Sequence, residues 1–91
     1  MKLDPVGKVL VRAAELIAER GHCKGEYSLK DGSCCPIGAL LILVGGREFN
    51  DATNALKQAV SNDIATWNDL PERTPEEVID GLIHAAYWRL P

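Results

Sequence analysis

The sequence predicts an all-α protein, four to five short helices around a single core, with an ordered loop or small hairpin at 22–33. Three observations predict it. Apolar residues recur at helical spacing after Asp4-Pro5, and an apolar run follows Cys35-Pro36. Thr74-Pro75-Glu76-Glu77 is a complete capping box, with proline at the first helical position, and it opens a further periodic stretch.

The first helix is expected over about residues 5–20. Asp4 supplies an N-cap oxygen and Pro5 a φ already suited to the first turn. Val6, Val9, Leu10, Ala13, Leu16 and Ile17 form its apolar stripe, Lys8, Arg12, Glu15 and Glu19 its solvated side, and Gly21 its C-cap. Residues 22–33 show no helical period. Glu26 to Leu29 suits a short extended piece, and Asp31-Gly32 is a turn signal.

Cys35 to Val44 reads as a short helix with Ser33 or Cys34 as cap, framed by Pro36 and the Gly45-Gly46 pair. It is apolar all round, which predicts a buried central helix; a buried strand is the alternative, poorly suited to Pro36 and Gly38. Gly38 is expected to mark a close approach of neighbouring backbone. Asn50 or Asp51 is expected to cap a third helix carrying Ala52, Ala55, Leu56, Ala59 and Val60. Ile64 to Asn68 allows a turn or two more before Leu70-Pro71 stops it. The last helix carries Val78, Ile79, Leu82, Ile83, Ala86 and Leu90 as its expected core stripe.

Ninety-one residues make one domain, 1–91, without repeats or a linker. The net charge of −3 and the ten basic residues, none adjacent to another, exclude nucleic acid on electrostatic grounds. The longest apolar stretch, Ala39 to Val44, is too short for a membrane span, which needs about 20 residues. The start, Met1-Lys2-Leu3-Asp4-Pro5, has no secretory apolar run, and three cysteines form no paired framework. These features predict a cytoplasmic protein.

Gly21-His22-Cys23-Lys24-Gly25, Cys35-Pro36-Ile37-Gly38-Ala39-Leu40, and Trp67-Asn68-Asp69 with Arg73-Thr74 and Glu77-Val78-Ile79 follow one another along the chain. This order resembles a family of small domains from actinobacteria and their phages, without assigned activity. That family carries Gly-Trp-Cys-x-Gly, Cys-x-x-Gly-Ala-Leu and Trp-Asn-Asp blocks. The resemblance spans nearly the whole chain and implies its fold but no mechanism. His22 stands where the family usually has tryptophan, and Cys34 is an additional cysteine.

Four groups of residues bear chemistry. His22, Cys23, Cys34 and Cys35 number enough for zinc, but adjacent pairs lack the gap that lets a knuckle wrap the ion, so no metal and no cofactor are expected. Packed thiols are the plainer reading. Cys35, at a helix start, has the position of an activated nucleophile, yet neither His22 nor His84 is placed beside it by the sequence. Trp67 is expected to anchor the turn after it. Asn68 and Asp69 either organise that turn, with Asp69 pairing Arg73, or face the Cys23 loop and line a polar pocket with Cys23 and Cys35. Gly81, His84, Ala85 and Trp88 fall together opposite the expected core stripe and form a candidate partner face, unless Trp88 folds back on the first helix.

With no catalytic set in the sequence, the expected function is a small non-enzymatic protein-binding domain. It would act on a protein partner or form a homo-oligomer, without nucleic acid or membrane; if phage-encoded, its partner would be a host protein. The alternative is a small-ligand binder or cysteine-dependent enzyme, with a pocket at Cys23, Cys35, Trp67, Asn68 and Asp69.

Overall fold

Asp4 starts the first helix as its sequence requires, Oδ1 accepting from Gly7 N at 2.8 Å. In the computed structural model, which describes residues 3–88 and Trp88 by its backbone alone, five helices follow in order. They are α1 (Pro5–Arg20), α2 (Pro36–Leu43), α3 (Gly46–Ala59), α4 (Ile64–Asp69) and α5 (Pro75–Trp88). Among the described residues there is no strand. Residues 22–34 form an ordered loop held by two isolated bridges, His22 with Cys34 and Ser28 with Cys34.

α1 is the spine. It pairs most extensively with α5 and also packs on α2 and α3. Leu10 and Ile17 of α1 meet Leu40, Leu56 and Leu82 in the fully buried centre. Burying each such side chain contributes about 1.5–3 kcal/mol relative to leaving it in water.

Three expectations are corrected. α2 is not buried all round: Ala39 and Leu40 are sealed, but Leu41 and Ile42 are about half exposed (47% and 48%). The helix meets α1, α3 and α4. α3 starts at Gly46, with Gly45 rather than Asn50 or Asp51 at its N-cap. Phe49 packs against the core and draws that first turn into the helix, while Asn50 and Phe49 carbonyls accept from Thr53 Oγ1.

The third correction concerns α5. Its buried face is Val78, Gly81, Leu82, Ala85 and Ala86, with Ile79 and Ile83 only partly covered. Gly81 and Ala85 therefore belong to the core and not to a partner face. A Cβ on Gly81 would stand 2.9 Å from Trp67 Cη2 and 3.0 Å from Val60 Cγ1, so the small residue is what lets the indole lie on α5. His84 is on the exposed side. Leu90 and the Trp88 side chain lie outside the described residues.

Gly38 is the tightest point. A Cβ there would be driven far inside van der Waals contact of the Tyr27 carbonyl. That carbonyl is fixed, because it accepts from Cys35 N at 3.1 Å. Gly38 thus sets how closely the 22–34 loop lies on α2.

The difference between the two close approaches is measurable. Gly38→Ala should lower the unfolding free energy by about 2–4 kcal/mol in urea denaturation, because backbone must move. Gly81→Ala should cost less, about 1–2 kcal/mol, because an indole ring can tilt. Equal losses would mean that the loop lifts as easily as the ring turns.

Candidate functional site

α4 is a six-residue helix, Ile64–Asp69, and its short length makes both of its ends matter. Asp63 caps the start, Oδ1 accepting from Thr66 N at 3.0 Å and Oδ2 from Thr66 Oγ1 at 2.8 Å. The Thr66 backbone bond holds the Asp63 carboxyl below its ordinary range. At the other end the orphan carbonyls find cations. Lys24 Nζ donates to Leu70 O at 2.6 Å and Pro71 O at 3.1 Å, and Arg73 Nε donates to Trp67 O at 2.9 Å. The Arg73 guanidinium also lies 4.5 Å from the Trp67 ring centroid, a cation–π geometry.

Asn68 projects from this helix end into the interior and is 1% exposed. Its Nδ2 donates to Cys23 O at 3.1 Å and to Asp69 Oδ1 at 3.0 Å. Those two acceptors fix the amide's orientation, so Oδ1 accepts from His22 Nε2 at 2.6 Å and that ring nitrogen carries the proton. Asp69 Oδ1 further accepts from Gly25 N at 3.0 Å. The carboxylate is thus directed to the Cys23 loop, and the expected pairing with Arg73 is not made; Arg73 reaches Trp67 O and Glu77 instead.

The residues expected to form one pocket are therefore sorted. Cys35, Asn68 and Asp69 line a cleft of about 250 Å³ between the loop, α2 and α4. Cys23 lies behind it with Sγ donating to Glu26 O at 3.3 Å, and Trp67 is turned toward Gly81 of α5. Tyr27, Ile37, Ile64 and Ala65 were not singled out by sequence, yet they line this cleft and also a wider one of about 530 Å³ that continues toward α3. Ile64, Ala65, Asn68 and Asp69 share one side of α4 at helical spacing, a pattern readable only once the helix is granted. The two clefts share Tyr27, Ile37, Ile64 and Ala65 and form one groove that runs from Asp69 at one end to Lys57 at the other.

The thiols are chemically quiet. Cys35 caps α2, its Sγ accepting from Gly38 N at 3.4 Å. Burial pushes its pKa up; hydrogen bonds from Gly38 and Ile37 oppose that, Asp69 adds to it, and burial wins. The lowering expected from a helix start is present but outweighed. Cys23 and Cys34 are raised too, first by burial and then by neighbouring thiols. All three cysteines are free. His22 is committed to Asn68, and among the described residues no three His, Cys, Asp or Glu side chains are arranged to hold a metal ion.

With this geometry in view, the chain belongs to a family of unknown function (DUF6197), whose model matches residues 1–87. No curated protein and no solved structure matches it. Among the described residues no helix is long and apolar enough to cross a membrane.

Two outcomes follow from the buried polar centre. Asn68→Ala leaves the His22 ring N–H and the Cys23 carbonyl without partners, and should cost about 2–4 kcal/mol of unfolding free energy. The thiols act at the opposite end of the pH scale. Unfolded thiols ionise near pH ~8.5 while the folded ones stay neutral. Their stabilisation is therefore complete below that range and is lost as pH rises through it toward the raised folded values. Unfolding midpoints should fall from about pH 8.5 upward. In the same range iodoacetamide should label the native thiols more slowly than free cysteine.

Proposed function

We propose that this is a small non-enzymatic domain that binds another protein through the groove between the 22–34 loop, α2 and α4. The observation that carries the reading is the continuity of two clefts over Tyr27, Ile37, Ile64 and Ala65. Concave, mostly apolar floors with a few fixed polar groups are what ligand sites share. The half-exposed Leu41, one turn from Ile37 on α2, extends the apolar surface beyond the groove, and Tyr27 is 59% exposed at its rim. Asn68 and Asp69 at one end of the groove are held by internal hydrogen bonds, which suits recognition and supplies no proton relay.

A setting in a reducing cytoplasm is part of this proposal, supported by three free, buried cysteines. An origin among actinobacteria and their phages, implied by the resemblance of the sequence blocks, would make a host protein a natural partner. Self-association through the same groove is the other form of the proposal. The competing reading, a cysteine-dependent enzyme or small-ligand binder, has one observation in its favour: Cys35 lines the cleft. Its raised pKa works against a thiolate at neutral pH.

Ala65 is exposed, lines both clefts and lies in the first turn of α4, so Ala65→Glu fills the groove without touching the core. Peptides selected from a random display library on the wild-type domain should bind Ala65→Glu at least about tenfold more weakly, a loss near 1.4 kcal/mol. Selection that enriches nothing, or peptides indifferent to Ala65→Glu, would remove the groove as the binding surface.

A further inference from the structure

The charges around the groove are not symmetric, and their arrangement selects an occupant. At one end stand Asp69 and Glu26, both lining the cleft. Asp69 Oδ1 is fixed by Gly25 N and Asn68 Nδ2, while its Oδ2 has no hydrogen-bond partner among the described residues. The Glu26 carboxylate has neither a hydrogen bond nor an ion pair among them. Lys24 of the loop is drawn to the Leu70 and Pro71 carbonyls and makes no ion pair with either acid. At the other end the cation Lys57 shares the wall with Asp63, whose carboxylate is already engaged by Thr66. The lining of the Asp69 end thus holds two acids and no cation, that of the other end one of each, and the floor between the ends is the apolar Ile37, Ile64 and Ala65.

We propose that the groove takes an extended basic segment of a partner protein, with a Lys or Arg side chain on Asp69 and Glu26 and a neighbouring apolar side chain on Ile37 and Ile64. This rests on the groove being the binding surface and names the chemistry of what fills it. Asp69 is well suited to the task because its position is set from the interior. Asn68 is buried, bonded to His22 and Cys23, and holds the carboxylate at the cleft wall. A fixed acceptor loses little conformational freedom when a cation arrives. A free amine would meet the same carboxylates, but it would leave the apolar floor and the second cleft unoccupied. A segment that crosses both clefts uses them together.

The test uses four labelled heptapeptide pools, random except for a central Arg, Lys, Gln or Glu, with binding to the full chain read by fluorescence polarisation. The Arg and Lys pools should bind about three- to fivefold tighter than the Gln pool, the Glu pool weakest, and the difference should shrink with added salt. Glu26→Gln, whose side chain supports no internal contact, should narrow that preference with the fold unchanged by circular dichroism. Asp69→Asn should narrow it further. Four pools that bind wild type equally, and all lose affinity on Ala65→Glu, would overturn the basic occupant and leave the groove standing. No binding by any pool would overturn both. Displacement of the Arg pool by n-butylammonium as readily as by unlabelled peptide would overturn the peptide segment and assign the Asp69 end to a small amine. A dimer by light scattering that Ala65→Glu dissolves would assign the groove to a second copy of the chain.

Discussion

The buried amide of Asn68 is the constraint on which the functional half of the molecule depends. A carboxamide at 1% exposure is costly unless its donors and acceptor are all used, and here they are: His22, Cys23 and Asp69 take every strong position. Each bond is worth only about 0.5–1.5 kcal/mol net, but a buried group left unpaired costs about 1–3 kcal/mol. The amide therefore specifies more than it stabilises. It admits one placement of the 22–25 segment against the end of α4, and Lys24 and Gly25 complete the junction from either side. From there the loop runs over Gly38, so the same junction fixes Tyr27 at the mouth of the groove.

Small residues do the complementary work on the apolar side. Gly38 lets the Tyr27 backbone settle on α2, and Gly81 lets the Trp67 ring settle on α5. Because Trp67 and Asn68 are consecutive on a helix of six residues, α4 is gripped from two directions about 100° apart, by α5 through the indole and by the loop through the amide. A helix that short has no independent stability, since isolated helices are marginal below about 12–15 residues. Its position is a tertiary product. So is the groove it borders.

What the sequence disclosed and what it withheld divide along the same line. Caps and stops were legible: Asp4-Pro5, Gly21, Leu70-Pro71 and the Thr74 box act locally, and the helices they bound lie where those residues place them. Gly38 was legible as a close approach, though not what approaches. The start of α3 was misread because Phe49 draws the first turn into the helix by core contact, which no cap residue announces. The face of α5 was misread for a related reason. Gly81 and Ala85 look like surface residues on a helical wheel, yet small side chains are what two packed helices need where they come nearest. Cys35, Asn68 and Asp69 were legible as polar residues to watch. Ile37, Ile64 and Ala65, which line the groove with Tyr27 of the loop, carried no signal because apolar residues on short helices look the same whether they face a core or a cleft.

The balance between recognition and catalysis can be argued from what is rigid here. Catalysis at Cys35 would need a thiolate and a base in reach, while burial and Asp69 both favour the protonated thiol and His22 is already tied to an amide oxygen. A pocket that opposes ionisation of its own nucleophile works against that chemistry. Recognition asks for the reverse properties: acceptors whose geometry is settled before the partner arrives, and apolar surface that none of the described residues covers. Asp69, held by Gly25 and Asn68, meets the first condition, and Tyr27 with Leu41 meets the second. The Asn68 amide that occupies His22 also helps hold Asp69, so one buried group both engages a candidate base and preorganises the carboxylate.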